Sequence, residues 1–129
     1  VDQHKDTREP DNYNVDLNDI NDVFRYTNET LNVGSFIKPA LKHNIFSEVI
    51  IIDSSYGFEL DIEGEFVLDI DLDIFSKDMD YIPYDIKISR IKELIDRAKV
   101  ITIASSPFFI NQEYAIKVLK ELFNYDIIE

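Results

Sequence analysis

No cysteine occurs in this chain of 129 residues, which excludes a disulfide framework, a thiolate metal site and a cysteine nucleophile. A reducing compartment suits such a composition, and the expected location is the cytoplasm. Glycine and proline are scarce, at three and four residues, so neither a low-complexity nor a disordered chain is expected. Basic residues are few as well: 13 Lys and Arg stand against 26 Asp and Glu, a net charge of −13. That balance disfavours nucleic acid and anionic membrane surfaces as partners and favours cations, whether metal ions or guanidinium groups. No apolar run approaches the roughly 20 residues of a membrane span, and no signal peptide is visible. Nine Phe, seven Tyr and many Ile remain, enough for one compact core in a chain of this length. The chain starts with Val1 inside what reads as a motif, which suggests a segment of a longer protein.

Residues 66–76 read F-V-L-D-I-D-L-D-I-F-S and organise the rest. The consecutive apolar residues Phe66, Val67 and Leu68 predict a parallel strand covered by helices on both faces. From residue 69 acid and hydrophobe alternate, so Asp69, Asp71 and Asp73 share one side of an extended chain, neighbours roughly 7 Å apart. They repel one another unless a cation or proton intervenes. In open α/β sheets ligands gather at the carboxyl ends of strands, where these aspartates fall. A solvated acidic edge strand would show the same pattern. Residues 1–6 read V-D-Q-H-K-D and set Asp2, His4 and Asp6 at alternate positions, a carboxylate and imidazole set that suits Mn, Zn or Fe.

Around these motifs the periodicity predicts a short helix over 18–26, capped by Asn18 or Asp19, with Ile20, Val23 and Phe24 turned inward. A second helix is expected over 36–43, capped by Ser35 and ended by Asn44, with His43 as a cation at its C-terminus. Residues 48–52 and 100–104 read as fully buried strands, and 58–63 as a half-exposed edge strand. Residues 7–17 and 76–84 read as loops. A helix over 85–98 would bury Ile88, Ile91, Leu94, Ile95 and Ala98, and a last helix capped by Asn111 would bury Ala115, Val118, Leu119, Leu122 and Phe123. This order implies right-handed crossovers and a three-layer α/β/α domain with a mostly parallel sheet, spanning 1–129. An incomplete sheet leaves an edge that self-association would cover.

If both acidic motifs end neighbouring parallel strands, Asp2, His4, Asp6, Asp69 and Asp71 converge, and their four carboxylates carry about −4, which two divalent cations neutralise. Two such ions lower the pKa of a bridging water and yield a hydroxide nucleophile. The pairing of D-x-H-x-D with a later hydrophobic-D-x-D resembles the arginase/agmatinase (ureohydrolase) superfamily of binuclear manganese hydrolases. The fuller pattern, with N-V-G-S-F-I-K-P-A-L, V-L-D-I-D-L-D-I-F-S and I-T-I-A-S-S-P-F-F, looks more like its arginase-like branch, which includes peptide arginases.

The resemblance implies an arginase/deacetylase-like fold, incomplete at the N-terminus and forming the C-terminal portion of a larger domain. Asp2 and Asp69 would bridge two Mn²⁺ ions, His4 and Asp71 would hold one, and Asp6 would help hold the other. Asp73 would orient ligands, and Ser105 and Ser106 would lie in the substrate pocket. The family also uses a metal-binding His on an earlier strand and a proton-shuttle His after the first motif; no His lies between His4 and His43. The expected function is hydrolysis of a carbon–nitrogen bond, of guanidino type, in a small molecule or peptide. Two other classes stay open. One is a non-catalytic metal-binding or acidic interaction module of the same fold. The other is a Mg-dependent haloacid-dehalogenase-type phosphatase, whose D-x-D motif would continue into Gly-Thr where Leu72-Asp73 stands here.

Overall fold

The computed structural model describes residues 1–124. They form two compact units, one of His4–Ile50 and one that joins Val1–Gln3 to the chain from Ile51 onward. Among the described residues no helix is long and apolar enough to cross a membrane.

The His4–Ile50 unit holds helices α1 (Ile20–Glu29) and α2 (Ile37–Lys42). Helix α1 starts at Asp19, whose carboxylate accepts the N–H groups of Asn21 and Asp22. Its expected inward face is not buried: Ile20 is 81% and Phe24 71% exposed, and of its residues Tyr26 alone is buried. So short a unit has little interior to offer, and polar ties do much of the holding. The Tyr26 hydroxyl donates to the Asn12 carbonyl at 2.7 Å, Arg8 N–H to the Gly34 carbonyl at 2.9 Å, and Lys38 pairs with Glu9 at 2.9 Å. Helix α2 lies where its periodicity puts it, but without the expected Ser35 cap. Ser35 is buried and its Oγ accepts the Asn32 N–H at 3.0 Å, so Phe36 takes the cap position with no side-chain bond. Asn44, at φ 57° in the left-handed region, turns the chain out of the helix just past His43.

The other unit runs α3 (Ser55–Glu59), β1 (Val67–Asp71), two 3₁₀ turns (Leu72–Phe75 and Lys77–Met79), α4 (Tyr84–Arg97), β2 (Val100–Ala104) and α5 (Gln112–Phe123). Strands β1 and β2 pair in parallel, with Ile70 opposite Ile103 and Asp71 opposite Ala104. The unit is therefore α/β with a parallel sheet, two-stranded among the described residues. Helix α4 buries Ile88, Ile91 and Leu94, and α5 buries Ala115, Val118 and Leu122, against Leu68, Ile70, Leu72, Ile74 and Phe75. Asn111 accepts the Tyr114 N–H at 3.0 Å as N-cap of α5, and Asn124, at φ 51°, follows its last turn.

Three strand expectations change. Strand β1 buries Leu68 and Ile70 but exposes Val67 and Asp69, so only one of its faces is covered. Strand β2 occupies the expected residues yet is exposed along most of its length, because β1 is its one neighbour in the sheet. Residues 58–63 are not a strand. The Leu60 and Ile62 carbonyls, which a neighbouring strand would have bonded, accept instead from the guanidinium groups of Arg90 and Arg97 on α4. The alternation nevertheless forecasts the faces: Phe58 is buried and Ile62 packs on the core, while Glu59, Asp61 and Glu63 are exposed. Residues 48–52 form no strand either. Ile52 keeps a strand-like role, buried with its carbonyl accepting from Asp2, and a Cβ at Gly57 would stand 2.9 Å from its Cα, so α3 fits against it only with glycine there.

Helices α4 and α5 are tied at the surface by Tyr84, whose hydroxyl donates to the Glu121 carboxylate and whose ring meets Phe75 edge-on at 5.8 Å. Burial, followed by the Glu121 bond, raises the phenol's pKa. The protonated phenol is thus favoured by folding, so its contribution is complete below the ordinary value of about 10 and lost as pH climbs above it. Tyr84→Phe is expected to lower unfolding stability by about 1 kcal/mol at pH 7. The gap should close at pH 11, as read by urea titration at both pH values; an equal gap at pH 11 would contradict this account.

Candidate metal site

Backbone bonds bring the two acidic motifs together. The Val1 nitrogen donates to the Asp69 carbonyl at 2.7 Å and the Asp71 N–H donates to the Val1 carbonyl at 2.8 Å. Bonds that bracket Ile70 in this way follow the parallel pattern, so Val1 extends the sheet on the side of β1 away from β2. The next residue bonds outward: Asp2 N–H donates to the Ile52 carbonyl at 3.1 Å. The lateral order is Ile52, Val1–Asp2, β1, β2, and Asp2 arrives beside the carboxyl end of β1, where ligands of parallel sheets collect.

Past Asp71 the chain stops being extended. The Asp71 carboxylate accepts the Asp73 N–H at 3.1 Å and caps the Leu72–Phe75 turn. Asp73 therefore leaves the alternation expected of it and is fully buried, its Oδ1 accepting the Gln3 N–H at 2.9 Å. Ligand oxygens of Asp2 and Asp73 lie within 4.8 Å of one another. Two ionised carboxylates at that distance repel, and a cation or a shared proton relieves them.

The carboxylates of the two motifs have different partners. Asp73, read as a ligand orienter, joins Asp2, whereas Asp69 and Asp71 bond hydroxyls. Asp69 Oδ1 accepts from the Thr102 hydroxyl at 2.6 Å, and Asp71 Oδ1 accepts from the Ser106 hydroxyl. Ser106, at φ 47°, reaches Asp71 from the turn after β2; Ser105 is exposed and its carbonyl accepts from Gln112 at 2.9 Å. Asp6 has φ 53°, so residues 1–6 are not one extended run and the spacing of Asp2 does not carry through to Asp6. His4 and Asp6 belong to the His4–Ile50 unit.

Two residues that the motifs do not single out complete the surroundings. Gln3, besides its bond to Asp73, accepts from the Ser76 hydroxyl at 2.9 Å and reaches Asp78 at 3.4 Å. Ser76 and Asp78 also line a cavity of about 570 Å³ that Phe75, Asp80, Phe109 and Tyr114 help enclose. Lys87 on α4 lies buried beneath the same turns. Gln3 stands inside the D-Q-H run, and its position between two metal-ligand types is the one sequence cue to it; Lys87 falls next to the apolar helix position Ile88, where a lysine reads as surface.

No known protein family, curated protein or solved structure matches this chain.

Proposed function

We propose that Asp2 and Asp73 hold a divalent cation. In this reading the protein is a manganese-dependent hydrolase of a guanidino carbon–nitrogen bond, on an arginase-like three-layer scaffold. The observation that carries the reading is the parallel pairing of Val1 with β1, which sets Asp2 beside the D-x-D-x-D motif at one sheet edge. Two carboxylates suit a hard divalent cation such as Mn²⁺. A cation there supplies Lewis acidity.

The chain's own residues supply the rest. The Gln3 N–H orients the Asp73 carboxylate. Asp78 and Asp80 give the neighbouring cavity a rim that attracts a guanidinium, and Phe75 and Tyr114 give it apolar walls for a substrate's stem. Two carboxylates balance one divalent ion; a second Mn²⁺ would draw on Asp69 and Asp71, whose Oδ1 atoms already accept from Thr102 and Ser106. The other reading, a metal-binding module without turnover, needs one ion only, held by Asp2 and Asp73.

Elemental analysis after Mn²⁺ loading, joined to urea-release assays on arginine, agmatine and arginyl peptides, tests both. Bound manganese with urea release supports the hydrolase. Bound manganese with no turnover on any guanidino substrate leaves the binding module, and no bound metal removes both readings.

A further inference from the structure

We infer that Lys87 is a positioning residue of this site, acting on Asp73 through the turn that carries it; the inference rests on the metal-binding reading above. Lys87 lies in the first turn of α4 and is 2% exposed. Its ammonium donates to the Ile74 carbonyl at 3.2 Å and the Met79 carbonyl at 3.0 Å, and stands 5.3 Å from the centre of the Phe75 ring. Those two carbonyls belong to successive 3₁₀ turns, Leu72–Phe75 and Lys77–Met79. The hydrogen-bond geometry of a 3₁₀ turn is poorer than that of an α-helix, so outside bonds add to its hold. One buried cation spans both.

A buried ammonium is costly to desolvate, and an apolar side chain of the same length would fill this space more cheaply. Burial depresses its pKa, with Asp80 acting against that shift. What the ammonium does that an apolar group could not is fix two carbonyls at once. Ile74 is the residue after Asp73, so its carbonyl orientation and the Asp73 side-chain direction are coupled through one residue of backbone. Asp73 is then held from three directions: Asp71 on its N–H, Gln3 on its carboxylate and Lys87 through Ile74. The Ser76 N–H closes the turn on the Asp73 carbonyl at 2.8 Å, so loosening of the turn is readable at that amide.

The test is Mn²⁺ affinity, by calorimetry, together with hydrogen exchange at the Ser76 and Met79 amides, in wild type, Lys87→Met and Lys87→Arg. Lys87→Met is expected to weaken Mn²⁺ binding at least roughly tenfold, the loss typical when a group that orients a ligand is removed. It should also speed Ser76 exchange, while Lys87→Arg, which keeps a cationic donor, retains most of the affinity. A purely structural lysine would lower the melting temperature of Lys87→Met and leave the Mn²⁺ affinity of the folded protein unchanged, and that result overturns the inference. Should Lys87→Met not fold, Lys87→Gln, with one amide donor, carries the same comparison. Absence of Mn²⁺ binding in wild type removes the metal reading, whereas unchanged Ser76 exchange in the variants removes the positioning role by itself.

Discussion

Asp73→Asn is expected to abolish stabilisation by Mn²⁺. Asparagine has nearly the same volume and keeps an Oδ1 that can accept the Gln3 N–H, so the turn loses no acceptor there. What disappears is the negative charge of a fully buried group close to a second carboxylate, Asp2. That charge is indispensable to a cation site. For wild type, free Mn²⁺ at 100 times its dissociation constant adds about 2.7 kcal/mol by mass action, and the variant should gain almost none of it. Asp73→Ala is the informative contrast, since it also strands the Gln3 N–H and should cost about 1–3 kcal/mol without metal. Differential scanning calorimetry with and without Mn²⁺ reads all three proteins. An Asp73→Asn protein that shifts with Mn²⁺ as far as wild type would remove Asp73 from the ligand set.

Ile70→Ala and Ile103→Ala should differ by several kcal/mol although the two residues are identical, adjacent and paired in register. Ile70 is 0% exposed, between Val1 on one side and β2 on the other, over the helix layer. Truncating it removes buried methyl groups and leaves a cavity that the surrounding helices cannot collapse to fill, a loss of about 3–5 kcal/mol. Ile103 is 43% exposed because β2 has one strand neighbour. Less transfer energy is at stake there and no closed cavity forms, so about 1 kcal/mol is expected. Urea unfolding of both variants checks the difference. Similar losses would mean that β2 is covered in solution, as it would be in a fuller sheet or by self-association.

These two pairs also show what the sequence could and could not reveal. Helices were readable because their signals are local: Ile88, Ile91 and Leu94 repeat at helical spacing, and Asp19 and Asn111 cap where capping chemistry predicts. Strand existence at 67–71 and 100–104 was readable from apolar runs, but strand burial was not, since it depends on how many layers and neighbours are present rather than on the strand itself. Residues 58–63 had the period of a strand and lost their ladder to two arginines from α4, a long-range competition that no local pattern encodes.

The site was legible at the level of which motifs meet. The burial of Asp73 was not legible, because Asp71 spends its side chain on capping a turn and so swings Asp73 inward. Alternation assumes an extended chain, and the chain ceases to be extended at Leu72. Helix α1 shows the same limit, with an amphipathic pattern whose apolar side includes the exposed Ile20 and Phe24.

The docking of Val1–Gln3 has a consequence for the order in which the molecule assembles. Strands β1 and β2 join positions 33 apart, as at Asp69 and Thr102, whereas Gln3 meets Asp73 across 70. Doubling a loop adds only about 0.6 kcal/mol of closure entropy. Val1, Asp2 and Gln3, each partly buried, offset it with a handful of hydrogen bonds. These contacts close a loop about twice as long as the one between β1 and β2, so they are a door that opens first, and the amides of Asp2 and Gln3 should lose exchange protection before those of β1. A cation held between Asp2 and Asp73 would close that door from the inside, and in a chain with no cysteine it would serve as the missing cross-link.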